Sequence, residues 1–65
     1  MTIGQQIRKY RKLKRWSLAE LGEKAELAIS TLSDAERGET ALSVKSLERV
    51  AEALGIDIDY LFKKE

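Results

Sequence analysis

Between Ser17 and Gly38 the chain carries side chains suited to reading the edges of base pairs. Helical spacing from Ala28 puts Leu32 and Ala35 beside it on one face. Ser30, Ser33, Asp34 and Arg37 fall on the opposite face, with Ile29 at its edge. Serine hydroxyls bond to several bases, Asp34 is an acceptor for cytosine N4, and Ile29 suits a thymine methyl. Arg37 is the basic residue nearest to the groove-reading side chains. Before Arg37 the face has no Arg, Lys, Asn or Gln, the residues that make bidentate base contacts. Asp34 and Glu26 add negative charge that repels phosphates. A dry aliphatic back with a small, hydrogen-bonding front is what a major-groove reader requires. The bland reading is a solvated helical hairpin.

Other chemistries find little support. The chain has no histidine and no cysteine, and no glycine-rich loop that would cradle a phosphate. Scattered carboxylates on a small helical protein are far more often solvated charges than catalytic groups. No enzymatic activity, metal, cofactor or small-molecule ligand is expected.

The helices that must position this face are legible from their punctuation. Ser17 and Glu20 form a capping box that opens a helix, and Leu18, Leu21 and Ala25 continue it at helical spacing. The next helix opens near Ala28 and stops at Gly38, a residue able to take the left-handed conformation past a helix end. An earlier helix is expected over Ile3–Lys14, with Ile3, Ile7, Tyr10 and Lys14 as its stripe and Leu13 widening it. Ser43 opens a fourth helix to about Leu54, with Val44, Leu47, Val50, Ala51 and Leu54 as a broad apolar face and Gly55 as its stop. A short fifth runs from Asp57 to Phe62, with Asp57 and Asp59 at its positive end. Lys63, Lys64 and Glu65 read as an unstructured polar tail.

A second regularity links these elements. Trp16 and Leu21, Leu27 and Leu32, Leu42 and Leu47, Ile56 and Leu61 are apolar pairs at one fixed spacing, that of the hydrophobic staple. The caps they bracket are Ser17, Ala28, Ser43 and Asp57, of which only Ala28 lacks a capping oxygen. Several helices entered at set angles make a compact globule and argue against an extended coiled coil. With Ile56 and Leu61 committed to a staple, Ile58 and Phe62 form either a core edge or a dimer surface, and the dimer is the reading favoured here.

Sixty-five residues form one domain, residues 1–65, with the helix-turn-helix at about 17–37. A domain of this size buries only about 60% of its unfolded surface. There is no disulfide to staple it and no proline to slow its folding. No membrane-length apolar run or signal-peptide pattern is present, so a soluble, cytoplasmic, nucleoid-associated protein is expected. Net charge is only +1, yet Arg8, Lys9, Arg11, Lys12, Lys14 and Arg15 supply six of the twelve basic residues. No acidic residue precedes Glu20. Such a run suits phosphates, an anionic membrane or a groove that takes a basic helix; the bland reading is a solvated face.

Taken together these motifs resemble the phage-repressor/Cro-type, or XRE-like, helix-turn-helix family. Residues Ile7 to Phe62 align to its pattern without a gap. The matching residues are Ile7, Arg8 and Arg11, then Ser17 and Leu21, Lys24 and Ala25, Leu32 and Ser33. They continue through Glu36, Arg37 and Gly38, Ser43 and Leu47, and Val50, Ala51, Leu54, Gly55 and Ile56. The run from Ala41 to Glu48 is similar to controller proteins of restriction–modification systems, and the opening stretch to some sporulation-type regulators. The resemblance implies an all-α, five-helix domain that binds double-stranded DNA as a small transcriptional regulator, as a homodimer on a two-fold operator. Leu18–Ala25 would be the positioning helix and Ile29–Glu36 the recognition helix. Ile29, Ser30 and Asp34 would meet bases, with Thr31, Ser33 and Arg37 at groove or phosphate, Ala28 beside them, and the amides around Ser17 and Leu18 on a phosphate. Arg11 and Glu36 match positions that pair in the family. The chain departs from the family at Leu18 (usually Gln), Glu26 (usually Gly), Ala28 (usually Ser or Thr), Ala35 (usually larger) and Leu42 (commonly Pro). The competing reading is a helix-turn-helix fold kept for protein partners, or a designed or drifted variant, with weak DNA contact.

Overall fold

The computed structural model describes residues 2–62 and contains five helices there: α1 (Ile3–Leu13), α2 (Leu18–Ala25), α3 (Ile29–Glu36), α4 (Val44–Leu54) and α5 (Asp59–Phe62). The tail expected at Lys63, Lys64 and Glu65 lies outside the described residues. α2 packs on α4 and α3, while α1 bridges α3, α4 and α5.

Side-chain chemistry sets the starts of the first four helices, with one exception. Thr2 and Gln5 form a capping box for α1, and Ser17 and Glu20 form one for α2. Ser43 accepts from the Ser46 amide at α4, whereas Ala28 gives α3 no side-chain cap. α5 begins two residues later than expected, but Asp57 still accepts from the Asp59 N–H. Each staple has its inner residue buried, at Leu21, Leu32, Leu47 and Leu61. The outer residues Trp16, Leu27, Leu42 and Ile56 are packed, half-buried, against the same core.

The ends of α1 to α4 share one device. Past each helix a residue takes a left-handed conformation: Arg15 (φ 60°), Glu26 (φ 58°), Gly38 (φ 75°) and Gly55 (φ 72°). The following amides, of Trp16, Leu27, Glu39 and Ile56, donate back to the carbonyls of Arg11, Gly22, Asp34 and Ala51. This is the Schellman closure. Two of the four left-handed positions hold a charged residue where glycine is the unstrained choice.

The core gathers Ile7, Leu21, Ala25, Leu32, Leu47, Val50, Ala51, Leu54 and Leu61. Three expected core residues fall outside it: Leu13 is 70% exposed, Val44 66% and Ile3 36%. Val44 is the first residue of α4, at the edge of the face formed by Leu47, Val50, Ala51 and Leu54. Leu13 is exposed because α1 is rotated relative to its apolar stripe; its buried residues are Gly4, Gln6, Ile7 and Arg11. Gln6 donates to the Tyr60 carbonyl at 3.0 Å and so ties α1 to α5. Gly4 lies against the backbone of Ala35, where a Cβ would strike the carbonyl group.

Candidate nucleic-acid interface

The outer face of α3 is built as its sequence period requires. Leu32 and Ala35 are buried against the body of the protein. Ile29 (52% exposed), Ser30 and Arg37 face solvent, with Thr31, Ser33 and Asp34 at intermediate exposure. Ala28, placed by the helical wheel on the dry face, is exposed because it precedes the helix and belongs to no helical face.

What fixes this face is a fork from α1. Arg11 Nε donates to Glu36 Oε2 at 2.7 Å, Nη2 to Oε1 at 2.9 Å, and Nη1 to the Trp16 carbonyl at 2.8 Å. The two side chains are only 10% and 7% exposed. The hydrogen bonds that Arg11 donates to Glu36 hold its pKa above the ordinary value against the opposing effect of burial. Arg11 thus links the end of α1, the turn before α2 and the last turn of α3 in a single planar contact.

A second arginine, Arg37 at the C-cap of α3, is engaged too, on the outside. Arg37 Nη2 donates to Asp34 Oδ1 at 2.7 Å and to Glu39 Oε1 at 3.2 Å. Asp34 and Arg37 therefore act together, and Glu39 joins them; the sequence patterning had not singled out Glu39.

At the N-terminus of α2, Ser17 is exposed and its amide donates to Glu20 Oε1, while its hydroxyl accepts from the Glu20 amide. The capping box thus takes up the Ser17 amide and places a carboxylate at the positive end of the helix. Leu18 is half-buried against the core, so its side chain adds nothing polar there. Positive charge is supplied nearby by Lys14 and Lys24, whose ammonium groups lie 5.5 and 5.0 Å from the Trp16 ring centre. Two cations on one indole were not foreseen from the sequence, although Trp16 stands within its basic run. Ile58 is partly turned into the core, which leaves Phe62, 47% exposed, as the freer apolar surface on α5.

Comparison with known proteins agrees with this architecture. A helix-turn-helix family pattern matches residues 7–61. The chain is 42% identical over 65 residues to the immunity repressor protein of Bacillus phage phi105, covering 100% of this chain and 45% of that protein. It is 44% identical over 64 residues to the transcriptional regulator SinR of Bacillus subtilis, covering 97% of this chain and 58% of SinR. The chain therefore spans about half the length of these relatives. The crystal structure of SinR in complex with DNA superposes with a TM-score of 0.91 at 43% identity, over 95% of this chain and 100% of that one. The restriction–modification controller protein C.AhdI of Aeromonas hydrophila gives a TM-score of 0.90 at 32% identity, over 92% and 91% of the two chains. With the five helices, the Arg11–Glu36 fork and the gapless pattern all in agreement, the chain belongs to the phage-repressor/Cro-type, XRE-like helix-turn-helix family.

Proposed function

We propose that this domain binds double-stranded DNA sequence-specifically and serves a transcriptional regulator, with α3 in the major groove. The observation that carries the reading is the small, polar outer face of α3, locked to α1 through Arg11 and Glu36. A recognition helix must present short side chains at a fixed angle, and its N-terminal residues meet the bases. Ile29, Ser30 and Asp34 are the proposed base contacts, and Thr31, Ser33 and Arg37 lie at the groove edge or phosphates. The backbone near Ala28, and that of Leu18 next to the Ser17 cap, approaches phosphates, with Lys14 and Lys24 adding positive charge.

One such helix covers few base pairs, so two copies on half-sites about one helical turn apart, roughly 34–36 Å, are expected. Phe62, helped by Ile58, is proposed as part of the dimer contact. Sedimentation of Phe62→Glu should then show a folded monomer; a folded dimer would remove that assignment.

Selection of duplexes from a random pool tests the main reading. A preferred sequence should emerge, and its affinity should fall linearly on a log–log salt plot, by about 0.9 per phosphate neutralised. A folded protein that selects no duplex at low salt would overturn it in favour of a protein-binding role.

A further inference from the structure

Arg37, at the C-cap of α3, is held in a way that limits what it can recognise. A guanidinium offers two bidentate edges, Nε–H with one Nη2–H and Nη1–H with the other. Both edges use Nη2. In this protein Nη2 is bonded to Asp34 at 2.7 Å and to Glu39 at 3.2 Å, which engages both of its hydrogens. Neither edge is then free for guanine O6 and N7 or for a phosphate, the contacts that make arginine a strong reader. Nε–H and the Nη1 hydrogens remain as single donors.

We propose that Asp34 and Glu39 form a carboxylate clamp that withholds the bidentate edges of Arg37 and so sets the base preference of α3. This rests on the DNA-binding reading above. Asp34 reaches Arg37 from one turn earlier on α3, and Glu39 from beyond the left-handed Gly38, so the guanidinium is held from both sides. All three side chains are substantially solvated, at 37%, 61% and 59% exposure for Asp34, Glu39 and Arg37. Ion pairs in such surroundings are weak, so the clamp tunes recognition and does not abolish it. With the clamp closed, the face reads through Ile29, Ser30 and single hydrogen bonds. With it removed, Arg37 gains guanine or phosphate as a partner.

A double-mutant cycle tests this. Wild type, Arg37→Ala, Asp34→Ala/Glu39→Ala and the triple variant are titrated by fluorescence anisotropy against the duplex selected by wild type and against random duplex. Arg37→Ala should cost at least about threefold more affinity in the carboxylate-free background than in wild type. A fresh selection with the carboxylate-free variant should add a guanine preference that disappears in the triple variant. An equal cost in both backgrounds would show that the carboxylates merely repel phosphates, and a larger cost in wild type would show that they orient Arg37 for binding; either overturns the clamp. Guanidinium NMR of the free domain gives an independent readout. Rotation about the Arg37 Cζ–Nη2 bond should be hindered in wild type and free in Asp34→Ala/Glu39→Ala, and free rotation in both overturns the clamp without reference to DNA. Hindered rotation with no duplex bound by any variant would instead overturn the DNA-binding reading, and with it the role given to the clamp.

Discussion

The two ends of α3 are held by opposite means. Its last turn is fastened from several directions: Glu36 lies in the Arg11 fork, Ala35 sits against Gly4 of α1, and the Glu39 amide closes the turn past Gly38. Its first turn has almost none of this. Ala28 offers no capping oxygen, and Ile29 and Ser30 face solvent. Leu32, at the fourth position, and its staple partner Leu27 fix that turn to the core. A helix secured at one end and left bare at the other projects its bare end, the end that would enter a groove under the proposed function. The anchoring contacts of this eight-residue helix thus gather at its last turn.

The sharpest way to break this contrast is Arg11→Ala. It leaves Glu36 buried and unpaired and should cost about 3–5 kcal/mol in a urea melt. Arg11→Met/Glu36→Leu should recover most of that loss, because the penalty belongs to the stranded charge; failure to recover would make the fork a net stabiliser. Gly4→Ala attacks the same turn sterically. With backbone as the obstacle, a loss of about 1–3 kcal/mol is expected. Ala28→Ser acts on the bare end and should raise stability by about 0.5–2 kcal/mol, so an unchanged midpoint would mean that the missing cap is not a weakness. Arg37→Ala should be the mildest, under about 1 kcal/mol, since its partners are exposed. That small effect should vanish in 1 M salt while the Arg11→Ala loss persists. Equal salt sensitivity of the two arginines would erase the distinction between them.

Much of this was legible in the sequence, through features that act locally. The Ser17–Glu20 box, the four staples and the stops at Gly38 and Gly55 are short-range signals, and each lies where its spacing places it. The Arg11–Glu36 pair was legible only through the family resemblance, since nothing in spacing links positions so far apart. α1 was misread in its facing because its buried side carries Gly4, Gln6 and Arg11, which no apolar pattern marks. Arg15 and Glu26 hide their left-handed backbone because neither is glycine. The embrace of Arg37 by Glu39 was invisible for a related reason: it runs across the helix end, where helical periodicity no longer applies.

The left-handed closures also bear on how the molecule exchanges with solvent. The Leu27 amide belongs to the turn between α2 and α3, yet it donates to the Gly22 carbonyl at 2.9 Å, and buried Gly22 would strike the Leu27 carbonyl if it carried a Cβ. That turn is expected to open together with α2. Deuterium should enter it only when α2 opens, on the timescale of the core, whereas the uncapped Ile29 and Ser30 amides a few bonds later exchange early.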